Sequence, residues 1–310
     1  MTRLLLLPRV NPFSEIEPFR QEAQLALNSE PNDLVQLSLP QQQEQVFAVP
    51  LVNGTVQVVT AGTGGRLQQL TSLNTHGQGV EASCVCTVDS SLVVGGSDGS
   101  IVMVDAITNE TRHVAKTGSG VDCATGLSGG AVLATGHMAG MLNLWDLRVS
   151  SFSQPVFTVT GKVINDGVTS VAAHPAQTNI LVVGRESGTL VFMDTRKAGE
   201  QPDTKHSFGV TEEAVTKVSF HPQFGDNLFC SSADGTLIHW DPSHKATAYS
   251  SSSIARLSPW LSPTLEESSE LTEILYREPT SINSFDLHGD SIVIACDNQM
   301  VRHYTGLHLV

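Results

Sequence analysis

The chain is poor in aromatic residues and in positive charge. Aromatics make up 5% of its 310 residues, and Lys plus Arg number 17 against 31 Asp plus Glu, a formal net charge of −14. The basic residues stand singly apart from Arg196-Lys197. Neutralising a phosphate backbone needs clustered cations, so direct nucleic-acid binding is disfavoured. An acidic surface suits a basic protein partner, though it is also an ordinary solubility device. Long apolar runs are missing too. Nothing approaches the roughly 20 apolar residues of a membrane span. Leu4–Leu7 after Arg3 is shorter than the roughly 7–15 residues of a signal-peptide core. The expectation is a cytosolic or nuclear chain with no membrane insertion. Cysteine is sparse: Cys84, Cys86, Cys123, Cys230 and Cys296 are scattered and odd in number, which favours buried free thiols over disulfides. Cys84-x-Cys86 puts two thiols on one strand face, with no second Cys or His pair at zinc-ligand spacing, and no histidines fall at i,i+4. No metal, cofactor or small-molecule substrate is expected.

What is present is repetition. Gly235-Thr-Leu-Ile-His-Trp-Asp241 is echoed by Gly99-Ser-Ile-Val-Met-Val-Asp105, Gly140-Met-Leu-Asn-Leu-Trp-Asp146 and Gly188-Thr-Leu-Val-Phe-Met-Asp194. Each echo follows a short apolar run and a tight-turn tripeptide such as Ala233-Asp234-Gly235. Asp-Gly reaches the positive φ of a hairpin turn at little cost. The lead glycines recur at intervals of roughly 40–50 residues, the period of a WD40 propeller blade with loops of varying length. In the best copy the strand-like runs are Val215–Phe220, Asn227–Ser231 and Thr236–Trp240, punctuated by His221-Pro222. A single four-stranded sheet cannot bury its own apolar face, so such units stack, and the Trp before each Asp is expected to pack between neighbours.

Weaker copies lie at Val58–Leu70 and Ser291–Tyr304, and a faint one at Asn32–Leu39. The reading is all-β: one WD40-type β-propeller over 1–310, of seven blades with a degenerate first. A faint blade and a ring-closing strand fall in 1–45, clear blades in 46–249, an irregular insertion in 250–270 and the last blade in 280–310. Thr2–Leu7 is expected to close the last blade, because an open sheet edge is a liability. Pro18 argues against a helix over Phe13–Asn28.

Two motifs imitate chemistry. Gly95-Gly-Ser97-Asp-Gly99 and Gly126-Leu-Ser128-Gly-Gly130 fit the G-x-S-x-G pattern, but a nucleophile elbow needs a strand–turn–helix context, with Asp/Glu and His following. Gly62-Thr-Gly-Gly65 has no Lys-Ser/Thr behind it and so cradles no phosphate. His174 and His221 precede prolines at matching positions and belong to the repeat. No catalytic residue emerges, and the expectation is a protein that is not an enzyme.

The insertion breaks the pattern. It opens on Ser250–Ser253 and holds Ser258-Pro259, Trp260 and Ser262-Pro263. Trp260 either tucks against the propeller or anchors a partner, since interface anchors are enriched in Trp. The Ser-Pro pairs suit proline-directed kinases, and an added phosphate would be repelled by Glu266, Glu267 and Glu270. Glu270–Tyr276 is read as the outer strand of the sixth blade.

Val215-x-x-Val-x-Phe-His-Pro222, Asn227-Leu-Phe-Cys-Ser231, Asp234-Gly-x-Leu-x-His-Trp-Asp241, Trp260-Leu-Ser262 and Ile282-Asn-Ser-Phe-Asp286 together resemble the forty-three-kilodalton nucleoporin family of the Y-shaped outer-ring complex of the nuclear pore. The resemblance runs from Val168 to Leu309 and more weakly from Leu34 to Arg148. The first 33 residues depart from it. It implies a scaffold subunit at the nuclear envelope that docks on an α-helical scaffold nucleoporin among other Y-complex subunits. It further implies support for protein and mRNA transport and for kinetochore attachment in mitosis. The competing reading rests on Trp145-Asp-Leu-Arg148, with a partial copy at Met193-Asp-Thr-Arg196. This signature marks propellers that serve as substrate receptors of cullin–RING ubiquitin ligases, where the arginine presents its planar donor fork to a carboxylate. The candidate partner contacts are Trp260, Leu261 and Arg148.

Overall fold

The computed structural model describes residues 3–6, 23–37, 44–62, 66–105, 108–127, 130, 132–148, 154–160, 166–197, 206–242, 258–261, 265, 270–275 and 278–309. These fall into two compact units, residues 1–124 with 147–154 and residues 125–146 with 155–310. Gly65, Ser128, the serines of 250–253, Ser262 and the segment tested for a helix before Ala23 lie outside the described residues.

In the first unit, β1 (Arg3–Leu6) pairs antiparallel with β2 (Ala23–Ala26) as a separate two-stranded sheet. A four-stranded sheet follows: β3 (Val35–Leu37), β4 (Gln45–Pro50), β5 (Thr55–Gly62) and β6 (Arg66–Asn74). The next holds β7 (Ala82–Val88), β8 (Ser91–Gly96), β9 (Ser100–Asp105) and β10 (Thr111–Lys116). The division of the chain falls within β11 (Val121–Gly126), which shares a sheet with β12 (Val132–His137), β13 (Met141–Asp146) and β14 (Phe157–Val159) of the second unit. In the second unit, β15 (Val168–Ala173), β16 (Ile180–Arg185), β17 (Thr189–Asp194) and β18 (Ser207–Gly209) form one sheet. The sheet after it contains β19 (Val215–Phe220), β20 (Leu228–Ser232), β21 (Leu237–Asp241) and β22 (Glu270–Leu275). The last has three strands, β23 (Ile282–His288), β24 (Ser291–Cys296) and β25 (Val301–Thr305).

All-β meanders of this kind, repeated at this period, are the blades of a WD40-type β-propeller. Among the described residues there are seven sheets, and the first is reduced to two strands. Two details differ from the sequence reading. The faint copy at Asn32–Leu39 is no blade of its own; it contributes β3 to the sheet of β4–β6, held by the Asn32 N–H donating to the Pro50 carbonyl at 3.0 Å. Nor does Arg3–Leu6 pair with the last sheet. It pairs with Ala23–Ala26, a partner close in sequence, where loop closure costs least. Glu270–Leu275 does pair with β21, as the fourth strand of the sixth sheet.

The same irregularity recurs in the first strand of four sheets. The register slips between Ala82 and Cys84, Val168 and Ser170, Val215 and Lys217, and Ile282 and Ser284, so that Ser83, Thr169, Thr216 and Asn283 are bulge residues. The residue before each is wholly buried. A bulge frees the side chain from the ladder, and the protein uses it as a latch to the next sheet. Ser83 donates to the carbonyl of Val121, Thr169 to that of Val215 and Thr216 to that of Ile282. Asn32 plays the same part for Ala82 at 2.9 Å.

The turn glycines are obligatory where sequence repetition marked them. Gly235 has φ +84°, and a Cβ there would sit 2.1 Å from the Glu278 carbonyl oxygen. An L residue pays for the left-handed backbone by about 1–2 kcal/mol before that overlap is counted. Gly235→Ala is therefore expected to lower the thermal midpoint clearly, while Gly209→Ala, whose Cβ would meet nothing within 4 Å, leaves it unchanged. Equal midpoints for the two variants would contradict this account of the turn.

Candidate functional site

The most concentrated chemistry of the second unit is aromatic. Trp240 on β21 is 2% exposed and Phe192 on β17 is 1% exposed, and the two rings meet edge-to-face at 5.4 Å. Into this cluster comes a 3₁₀ turn, Pro259–Leu261. Trp260 is 0% exposed: it stacks on Phe192 at 5.3 Å and 14° and lies edge-on to Phe220 at 5.4 Å and to Trp240 at 6.4 Å. Leu261 and Leu265 are buried in the same cluster, and His206 Nε2 donates to the Leu261 carbonyl at 2.9 Å. Trp260 and Leu261 are thus corrected from candidate partner contacts to packing residues. The contact made by the described residues of the insertion, 258–261 and 265, is with their own chain.

Arg148, the third candidate, is exposed and already engaged in an interaction of its own. Trp145, three residues before it, is buried, and its indole N–H donates to Thr135 Oγ1 at 2.9 Å. Thr135 Oγ1 and Asn143 Nδ2 each lie 3.0 Å from His137 Nε2, and Thr158 donates to Asn143 Oδ1 at 2.7 Å. Every member of this network but Thr158 is buried, and a satisfied buried network fixes one packing of the blade. In the partial copy, Arg196 folds back on Asp194, with Nε and Nη2 2.9 and 2.7 Å from its two oxygens. The donor fork that the ligase-receptor reading needs is occupied there.

The serine turn at Gly95–Gly99 links strand β8 to strand β9, not a strand to a helix. Ser97 Oγ accepts the Glu81 N–H at 3.0 Å. Nearby, the Ser100 hydroxyl donates to Asp98, whose carboxylate also pairs with Lys116 at 2.9 Å. The Asp98 carboxyl is held far below its usual range: desolvation pushes it up, and the hydrogen bonds from Ser100 and Lys116 outweigh that.

His174 and His221 perform a matched local task. Nδ1 of His174 accepts the N–H groups of Ala176 and Gln177 at 3.1 and 3.0 Å, and Nδ1 of His221 those of Gln223 and Phe224 at 3.2 and 3.0 Å. Each ring closes the turn after its His-Pro pair, and His221 Nε2 donates to the Gly289 carbonyl at 2.8 Å. His239 on β21 stacks on Phe229 at 4.5 Å and bonds Asn227. Among the described residues no group of His, Cys, Asp or Glu is placed to hold a metal ion, and no helix is long and apolar enough to cross a membrane. Cys84, Cys86, Cys230 and Cys296 are buried free thiols, and burial pushes Cys230 up to about 12. Such a thiol supplies little thiolate for chemistry.

Two features escaped the sequence reading. One is the set of latches at Asn32, Ser83, Thr169 and Thr216, of which the last three are signalled only by a polar residue after a buried small or apolar one. The other is the pair Arg185–Asp166. Arg185, 6% exposed at the end of β16, directs Nε and Nη2 to Asp166, which also accepts the Ser187 N–H at 2.7 Å.

These sheets, turns and buried tryptophans define a WD40-repeat β-propeller protein. The WD domain, G-beta repeat family matches residues 203–241, the stretch carrying His221-Pro222 and Trp240-Asp241. The chain is similar to the nucleoporin Nup43: it is 26% identical to the human protein over 274 residues, 78% of this chain and 70% of that one. Mouse Nup43 is 28% identical over 193 residues, 54% of this chain. That second match spans about half the length of the mouse protein, 49%. A chain in the crystal structure of a mitotic checkpoint complex has the same fold, with a TM-score of 0.70 at 18% identity over 94% of this chain and 79% of that one. The chain is thus similar to Nup43 in sequence and carries a WD40 repeat, and these relatives point to a non-catalytic scaffold.

Proposed function

We propose that this chain is a non-enzymatic scaffold subunit of the Y-shaped outer-ring complex of the nuclear pore, docking on an α-helical nucleoporin. In that place it supports nucleocytoplasmic transport and, in mitosis, kinetochore attachment. The observation that carries the reading is the similarity to human Nup43 over 78% of the chain. The geometry is in keeping with it. Among the described residues, Ser97, the histidines of the two His-Pro pairs and the buried cysteines serve turns and core, which leaves the outer surface for protein contacts.

Affinity capture of the tagged chain from extract of its own cells, with mass spectrometry, tests the proposal. Y-complex subunits are expected as the dominant partners, and Arg148→Ala is expected to leave that capture unchanged. Recovery of a cullin adaptor in their place, lost on Arg148→Ala, would overturn the scaffold reading in favour of a ligase receptor.

A further inference from the structure

Among the described residues of the insertion, Ser258 is the one with no settled role. It precedes Pro259 and opens the turn that carries Trp260, and its carbonyl accepts the Leu261 N–H at 3.0 Å. Its hydroxyl, by contrast, is buried and has no hydrogen-bond partner. A buried hydroxyl left unpaired is a place where the docked turn is held against a penalty, here by the aromatic packing two residues on. That packing is extensive: Trp260 is enclosed by Phe192, Phe220 and Trp240, with Leu265 at 0% exposure beside it. Asp226 stands close by, its carboxyl held below the usual range chiefly by His174 and further by the Trp260 indole.

We propose that Ser258 is a phosphoacceptor for a proline-directed protein kinase, guarded by the seat of Trp260. While Trp260 occupies its aromatic cage, the Ser258 hydroxyl is out of reach. When the turn lifts, Ser258-Pro259 becomes an extended, readable Ser-Pro site. Ser258 Oγ then attacks the γ-phosphorus of ATP. The Oγ–P bond forms, the bond from phosphorus to the ADP oxygen breaks, and the hydroxyl proton passes to the kinase's base. The product carries about −1.5 to −2 charges at neutral pH. A group so charged cannot return to an unpaired buried position, so phosphorylation holds the turn out and leaves the Phe192–Phe220–Trp240 cage open.

The test uses the full chain, a purified proline-directed kinase and ATP, with peptide mapping of Ser258 over time and hydrogen exchange of residues 258–265. Trp260→Ala is expected to raise the rate at Ser258 about tenfold, because modification follows the population of the open form. Trp260→Phe keeps an aromatic ring in the cage and should stay near the wild-type rate. His206→Ala releases the Leu261 carbonyl without touching the aromatic core, so it keeps the test valid should Trp260→Ala fail to fold, and it too should accelerate modification. Phosphorylated wild type should lose exchange protection over 258–265. Equal rates in all variants, no phosphate on Ser258 in any of them, or a phosphorylated chain whose turn stays protected would each overturn the proposal.

Discussion

Trp240→Ala is expected to destabilise the chain by about 3–5 kcal/mol, the range for truncating a large core aromatic. Trp240 is 2% exposed and makes edge-to-face contacts with Phe192 and Phe208, both at 5.4 Å, besides Trp260. These rings come from four places in the chain: β17, β18, β21 and the turn at Pro259–Leu261. None can move into the void without losing its own contacts. The truncation therefore leaves a cavity in addition to the lost transfer energy. Trp240→Phe should cost much less, because the Trp240 indole N–H has no hydrogen-bond partner to lose. At Trp145 the order of effects differs. There Trp→Phe also removes a hydrogen bond to Thr135, worth about 1 kcal/mol. Urea midpoints followed by circular dichroism measure all three variants. A Trp240→Ala protein as stable as wild type but weakened in partner binding would show that the residue serves the surface.

What could be read from the sequence was what repeats. Gly99, Gly140, Gly188 and Gly235 all sit at positive φ, between +71° and +84°, as the recurring turn tripeptides required. Trp145 and Trp240 are core residues for the reason their place before Asp suggested. Features that depend on one blade meeting something particular were harder. The neighbourhood of Trp260 in sequence is serine and proline, which describes a loop, whereas its cage is built by Phe192, Phe220 and Trp240, each at least twenty residues away. A local window cannot see that cage, so the sequence favours docking inward over anchoring a partner by only a narrow margin. Thr2–Leu7 reads as a strand, and its described part, Arg3–Leu6, is one. Its partner was misjudged because strand character says nothing about which edge is filled. Arg185 ends an apolar run that gave no hint of a charge partner, and Asp166 lies across a loop of variable length.

That pair carries the second large effect. Asp166→Ala is expected to cost about 3 kcal/mol, the low end for breaking a buried ion pair, because Arg185 is nearly enclosed while Asp166 keeps some contact with water. Removing the carboxylate strips the guanidinium of its counter-ion and also releases the Ser187 N–H. Arg185→Met replaces the cation by an apolar chain of similar length and should cost less, since the remaining carboxylate still accepts from Ser187 and can reach solvent. The pH dependence follows from the Asp166 carboxyl. Desolvation pushes its pKa up, but the Ser187 and Arg185 hydrogen bonds and the Arg185 charge pull harder, and the folded value lies below the ordinary one. A depressed carboxyl contributes stability that is fully present above the unfolded pKa of about 3.9 and is lost as pH falls through the folded value. The gap between wild type and Asp166→Ala should therefore stay constant from neutral pH down to about 5 and narrow below about 4. Urea midpoints of the two proteins across that range give the answer. A gap that widens on acidification, or none at neutral pH, would mean that the Arg185–Asp166 pair does not hold the start of β15 to the end of β16.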